Sequence, residues 1–165
     1  MRAAQLFLLP VLATLSLAAQ GPSLSGTWFQ SKADDIPAAI NTTVADMNFI
    51  TRPIARHKLT KLNPAYRKVA IAISEKEVLV KFDERDPIHM PANGQVAPWT
   101  REDGEKFMVA AQVSPDQLIQ TFKNEEGERT NIFKLGHDGR SLTMSATIKS
   151  PRLPKPLVYS ISFGR

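Results

Sequence analysis

Apolar and polar residues alternate with a period of two over most of the chain after Arg67. The clearest example is the segment 141–148, in which four apolar residues alternate with serine and threonine. Strict alternation is typical of a β-strand that buries one of its two faces. The same pattern recurs, with short turn sequences between the segments, at 69–73, 78–82, 107–113, 118–122, 131–135 and 157–163. Strands joined by short turns predict an antiparallel meander.

The pattern before Arg67 is different and predicts two helices. Residues 23–30 alternate and are predicted to form the first strand. The next stretch, which runs to about Ile50, has apolar residues at spacings of three and four, as an amphipathic helix does: Ile36, Ile40, Val44 and Met47. A second short helix is predicted to begin at Pro53 and to stop at Asn63 and Pro64. A helix-turn-helix therefore follows the first strand directly.

The predicted strands need a partner for their apolar faces, because a sheet with one apolar face must bury it. Two short helices cover only part of so many strands, whereas closing the sheet on itself buries the face and removes exposed edges. We therefore predict a mainly β fold, an antiparallel meander that closes into a barrel of about eight or nine strands. A curved sheet wrapped around the two helices is the alternative.

A short positive start and an apolar stretch precede the predicted β domain. Met1 and Arg2 are followed by residues 6–19, which are apolar or small and uncharged. Small residues at Ser16 and Ala18 suit cleavage after Ala18. We therefore predict a signal peptide over residues 1–18, one domain over residues 19–165, and export to the periplasm or the extracellular space. A buried N-terminal helix is the alternative reading of the first residues.

The charge of the chain is mildly positive, and its densest positive region is the second predicted helix. The formal net charge is +5, and there is no cysteine, so stability has to come from packing and not from disulfides. No basic–aromatic interleaving indicates nucleic-acid binding, and no later apolar run is long enough for a transmembrane segment. Four basic residues form a predicted electrostatic portal for an anionic ligand head group or a membrane surface: Arg52, Arg56, Lys58 and Lys61. A solvated helix face is the alternative.

The first strand carries the motif Gly26-Thr27-Trp28, two predicted helices and a meander follow it, and Arg165 comes after the last strand. This arrangement resembles the lipocalin and fatty-acid-binding protein superfamily (calycins). The resemblance implies a ligand-holding barrel in which a basic residue near the last strand packs over the tryptophan. Here that pair is Trp28 and Arg165, and a cation–π contact between them would close one end of the barrel. The helix-turn-helix is more similar to the fatty-acid-binding proteins and the export signal to lipocalins. The stretch 150–157 is also similar to one in exported bacterial proteins.

Two functions follow from a barrel of this size, because such barrels are either filled by side chains or hold one small ligand. The first is an exported binding protein for a small apolar or lipid-like ligand. The residues expected to contact that ligand are Trp28, Met47, Phe107, Phe122, Met144 and Tyr159. The alternative is a structural or protein-interaction module of the cell envelope, with a filled core and no ligand. The sequence does not indicate an oligomeric state.

Catalytic and metal-binding patterns are absent from the sequence. The three histidines, His57, His89 and His137, have no metal-ligand spacing and no cysteine to help them. Acidic residues cluster only at predicted turns, where charged side chains are common. We therefore predict no enzyme activity, no metal and no cofactor. An enzyme would need His89 or His137 within hydrogen-bond reach of a carboxylate in a cleft.

Overall fold

A computed structural model describes residues 23–165, so the predicted signal peptide lies outside the described part of the chain. The described residues form two helices and ten strands, and neither helix is long and apolar enough to span a membrane. In chain order the elements are β1 (Gly26–Ala33), α1 (Ile36–Val44), α2 (Thr51–Leu62), β2 (Lys68–Ile73), β3 (Glu77–Phe82), β4 (Ile88–Pro91), β5 (Ala97–Thr100), β6 (Lys106–Ser114), β7 (Gln117–Asn124), β8 (Gly127–Leu135), β9 (Ser141–Lys149) and β10 (Leu157–Gly164).

The strands form one antiparallel sheet in the order β4-β3-β2-β1-β10-β9-β8-β7-β6-β5. Pairing of β1 with β10 joins the two ends of the chain, with Phe29 opposite Gly164. β4 and β5 lie at the two ends of this order and are not hydrogen-bonded to each other. The prediction of a meander that closes into a barrel, with two helices after the first strand, is confirmed.

The number of strands is ten because the irregular segment 83–98 contains more structure than its sequence pattern suggests. It holds β4 and the start of β5, each only four residues long, where the sequence pattern predicts a loop with one edge strand near residues 95–99. Pro91 ends β4, and Pro98 lies inside β5. A proline has no N–H to donate and is therefore confined to edge strands or strand ends. Both strands are edges of the sheet.

The first helix ends before its predicted end near Ile50, and the second begins at Thr51, two residues before its predicted start at Pro53. The Asp35 side chain accepts a hydrogen bond from the third helical residue and caps α1. α1 ends at Val44, and its apolar stripe faces the barrel. Asn48 Oδ1 then accepts hydrogen bonds from the backbone N–H groups of Ile50 and Thr51, at 3.1 and 2.9 Å, which begins α2.

One end of the barrel, which we call the closed end, is filled by side chains that are almost fully buried: Trp28, Phe133, Leu142, Met144, Ile161 and Phe163. At this end the Arg165 guanidinium carbon lies 3.9 Å from the centroid of the Trp28 ring, and the guanidinium also donates to the Ser23 carbonyl. Trp28 Nε1 donates to the Leu24 carbonyl at 3.0 Å. The expected contact between first and last strands is therefore present.

Replacing Arg165 tests the contribution of this contact to stability. Arg165→Ala is expected to lower the free energy of unfolding by about 1–2 kcal/mol, because it removes a cation–π contact and one hydrogen bond. Urea denaturation followed by circular dichroism measures the change. Arg140→Ala, at an exposed arginine, is the control and should change stability by less than about 0.5 kcal/mol. Equal losses in the two variants would contradict a role for the Trp28 contact.

Candidate functional site

The end of the barrel near α2 is hollow. A cavity of about 600 Å³ lies between α2 and the neighbouring ends of strands β3 to β9. This volume is within the range of small-molecule binding sites. Three aromatic residues, Trp99, Phe107 and Phe122, form a cluster in its wall, with ring centroids 5.4 to 6.3 Å apart. Tyr66 and Phe82, which stack at 4.2 Å, also line it.

The guanidinium of Arg129, on β8, lies in the wall of this cavity. Other charged side chains also line the cavity, among them Lys58, Arg85, Glu105 and Glu128. The Nε of Arg129 donates to Asn131 Oδ1 at 2.9 Å, its Nη1 to Asn63 Oδ1 at 2.9 Å, and its Nη2 to the Tyr159 hydroxyl at 3.0 Å. All three acceptors are neutral. Among residues 23–165, no carboxylate lies within 4.0 Å of this guanidinium. The Arg129 guanidinium therefore has neutral hydrogen-bond acceptors and no direct ion-pair partner among these residues.

Further buried polar side chains fix the orientation of the guanidinium. Asn131 Nδ2 donates to Gln120 Oε1 at 2.9 Å, and Gln120 Nε2 lies 3.6 Å from the sulfur of Met90. Burial raises the pKa of Tyr159, although the nearby Arg129 opposes that shift. The tyrosine hydroxyl is therefore neutral at physiological pH and donates to Asn63 Oδ1 at 3.3 Å. Asn63, Asn131, Tyr159 and Arg129 form one connected network.

The rim of the cavity is held by ion pairs within the β5–β6 turn and by a hydrogen bond between two turns. Arg101 pairs with Asp103 at 2.8 Å and also with Glu105. The hydrogen bond from Arg101 is the main reason that the pKa of Asp103 is lowered to about 2. Asn124 donates to Glu105 at 2.9 Å and so connects the β5–β6 turn to the β7–β8 turn. These contacts hold the wall that carries the aromatic cluster.

The six predicted ligand contacts divide between the two ends of the barrel. Met47, Phe107 and Phe122 lie in the cavity wall. Tyr159 lies behind the wall and reaches the site through its hydroxyl. Trp28 and Met144 do not line the cavity: both belong to the closed end, where packing against neighbouring side chains leaves no space for a ligand.

The four basic residues of the predicted electrostatic portal do not all face the cavity. Lys58 lines the cavity, whereas Arg56 and Lys61 are exposed on the outside of α2. Arg52 donates to the Met47 carbonyl, at 3.0 Å from Nε and 2.6 Å from Nη2, and so supports the connection between α1 and α2. Of these four, only Lys58 adds charge to the wall of the site.

The central residue of the site, Arg129, was not among the sequence-based candidates, although a signal for it exists. It lies two residues before Asn131 and four before Phe133, on the same face of β8. Strand parity alone would have placed this arginine inside the barrel. Asn63 has no comparable signal, because the sequence marks it only as a helix stop.

The histidines lie outside the cavity. His89 Nδ1 is 2.6 Å from Glu77 Oε1, but both side chains are on the outer surface, and His137 is exposed in the β8–β9 turn. Within residues 23–165, no three His, Asp or Glu side chains converge as metal ligands.

Comparison with known proteins finds similarity of structure. No family model matches the chain, and no curated protein matches it either. The REP1-NXSQ fatty acid transporter superposes with a TM-score of 0.55 at 14% identity, over 86% of this chain and 95% of that one. The fatty-acid-binding protein of Drosophila melanogaster brain tissue superposes with a TM-score of 0.54 at 10% identity, over 85% of this chain and 97% of that one. The fatty acid binding protein of Schistosoma mansoni, in complex with arachidonic acid, superposes with a TM-score of 0.52 at 14% identity, over 86% of this chain and 94% of that one. The chain therefore shares its fold with fatty-acid-binding proteins.

A matched pair of isoleucines tests whether the two ends of the barrel differ in packing. Ile161 is fully buried on β10, whereas Ile148 on β9 faces the cavity. Ile161→Ala is expected to lower the free energy of unfolding by about 2–5 kcal/mol. Ile148→Ala is expected to lower it by at least about 1 kcal/mol less, because the Ile148 side chain already faces the open space of the cavity. Urea denaturation of both variants measures the difference. Equal losses of unfolding free energy in the two variants would contradict a cavity at the α2 end of the barrel.

Proposed function

We propose that the protein is an exported carrier that binds one single-chain amphiphile, with a monoanionic head group at Arg129 and the apolar chain in the cavity. The observation that carries the proposal is the guanidinium of Arg129, which is held inside an apolar cavity by neutral acceptors only. A buried charge is costly unless it is paired and hydrogen-bonded. An anionic ligand would supply the missing opposite charge.

The chemistry of the site favours a carboxylate as the head group. An arginine presents paired N–H groups that match the two oxygens of a carboxylate, and such charge-assisted hydrogen bonds are stronger than neutral ones. The Tyr159 hydroxyl can donate a further hydrogen bond because burial keeps it protonated. One guanidinium pairs with one carboxylate, which favours a single carboxylate as the head group at this position.

The cavity wall favours an apolar chain. The aromatic cluster Trp99, Phe107 and Phe122 and the apolar side of α2 surround the space beside Arg129. Burying a hydrocarbon chain there contributes about 0.8 kcal/mol for each methylene group. The structures that share this fold include a fatty acid transporter and a protein with arachidonic acid bound, and these matches support a fatty-acid-like ligand for this chain.

Export is the part of the proposal that rests on sequence alone. Residues 1–18 have the charge, apolar stretch and cleavage site of a signal peptide. The stretch 150–157 is similar to one in exported bacterial proteins. A carrier of this kind would act in the periplasm or outside the cell.

An exposed apolar patch beside the cavity mouth supports exchange of the ligand at a membrane surface. Phe49, Ile50 and Ile54 are 83%, 63% and 66% exposed, and Ile54 also lines the cavity. α2 contains no acidic residue, and its exposed basic residues, among them Arg56 and Lys61, flank this patch. Apolar side chains combined with basic ones on one helix favour binding to anionic lipid surfaces.

Replacing Arg129 tests the head-group site. Arg129→Met is expected to weaken oleate binding about 10- to 100-fold, because it removes charge-assisted hydrogen bonds. Binding of oleyl alcohol, which fills the cavity without a charge, should change little. Titration followed by tryptophan fluorescence measures both ligands, since Trp99 lies in the cavity wall and Trp28 in the closed end.

Arg140→Met, at an exposed arginine, is the matched control and should bind oleate as the unchanged protein does. Equal loss of oleate and oleyl alcohol in the Arg129 variant would contradict the head-group assignment. Native mass spectrometry of the protein from its own host adds a second measurement. A bare protein that also fails to bind oleate would favour the structural or protein-interaction function.

Replacing the exposed apolar patch tests membrane exchange. The double variant Phe49→Ser, Ile50→Ser is expected to lower binding to vesicles of phosphatidylglycerol and phosphatidylcholine by more than about tenfold, because each side chain loses about 1.5–3 kcal/mol of burial. Co-sedimentation at two salt concentrations measures binding, which should weaken at high salt. Phe29→Ser, at a 58% exposed aromatic on β1, is the control. Unchanged binding in the double variant would contradict this surface.

A further inference from the structure

Two neutral oxygens occupy the part of Arg129 that a head group would use. Asn63 Oδ1 accepts from Nη1 at 2.9 Å, the Tyr159 hydroxyl accepts from Nη2 at 3.0 Å, and the two oxygens are 3.3 Å apart. They lie at the two terminal nitrogens of the guanidinium, where a carboxylate binds with its two oxygens. In this structure, Asn63 and Tyr159 therefore occupy the positions that the two oxygens of a carboxylate would take.

Asn63 is at the same time the residue that ends α2. Its backbone N–H donates to the Leu59 carbonyl at 3.0 Å, and its side-chain Nδ2 donates to the same carbonyl at 2.8 Å. Asn63 is only 4% exposed. Leu59 is the one buried residue among the twelve of α2. The helix is thus attached to the barrel mainly through its last turn, and Asn63 connects that turn to Arg129.

We infer that binding of an anionic head group displaces the Asn63 carbonyl oxygen from Arg129 and loosens the last turn of α2. This inference rests on the proposed function. A carboxylate is a stronger acceptor for a guanidinium than an amide oxygen, and the Tyr159 hydroxyl can turn its proton to the same carboxylate. Asn63 Oδ1 then loses both of its donors. An unpaired buried oxygen is unfavourable, so Asn63 moves toward water and its hydrogen bond to Leu59 is lost.

Asn63 is therefore a positioning residue that couples the anion site to the helix at the cavity entrance. In the arrangement of this structure, Asn63 accepts a hydrogen bond from Arg129 and joins it to the last turn of α2. With the head group bound, the same helix end is released. The coupling is reciprocal, so anything that loosens the last turn of α2 also raises the affinity for the anion.

Hydrogen exchange measured on the unchanged protein tests the inference without a substitution. Exchange of the amides in residues 59–67 is followed in the presence of saturating oleate and, separately, saturating oleyl alcohol. We expect exchange to be about tenfold faster with oleate, because only the acid competes for Arg129 and one hydrogen bond at the helix end is lost. Equal exchange with the two ligands, or slower exchange with oleate, would overturn the inference.

Asn63→Leu provides a second measurement, because leucine has similar size and cannot accept a hydrogen bond. The variant is expected to bind oleate several-fold more tightly than the unchanged protein, to bind oleyl alcohol equally well, and to show no difference in exchange between the two ligands. Asn41→Leu, at an exposed position of α1, is the control. An oleate affinity that falls in the Asn63 variant while the alcohol affinity holds would count against displacement.

The experiments separate this inference from the proposed function. If oleate does not bind, or binds equally well to Arg129→Met, the head-group proposal fails. If oleate binding depends on Arg129 but exchange at the end of α2 does not respond, only the coupling fails. If Asn63→Leu does not fold, the comparison of acid and alcohol on the unchanged protein still decides the question.

Discussion

The structure depends on one requirement, which is to bury the apolar face of a long antiparallel sheet. Ten strands present more apolar surface than two short helices can cover, so the sheet closes on itself through pairing of β1 with β10. The interior of that barrel has to be filled from the inward-facing positions alone. Large side chains fill it at the closed end, whereas the helix end is left hollow.

Inside this apolar interior, the polar groups are few and connected. Gln120 and Asn131 are almost fully buried and satisfy each other by a hydrogen bond, so neither is left unpaired. Through Asn131 they hold a guanidinium whose charge no carboxylate within residues 23–165 balances. This network is complete in hydrogen bonds and contains no ion pair. The cavity combines this network with an aromatic wall.

The regular part of the fold was predictable because periodicity is a local property. The strands β9 and β10 follow strict alternation, and the partnership of Trp28 with Arg165 followed from the closure of first and last strands. The sequence indicated one edge strand near the position of β5, but β4 was not predictable, since prolines and turn residues hide its pattern. The site was only partly predictable. Aromatic residues on inward faces were identified, but sequence parity cannot tell which of them meet side chains and which meet open space.

The two short edge strands have a consequence for the behaviour of the protein in concentrated solution. β4 and β5 leave a seam in the barrel wall, and each contains one proline. Unpaired edges commonly recruit strands from other molecules, and proline interrupts that recruitment. The prolines therefore make the seam a poor template for strand pairing with a second molecule.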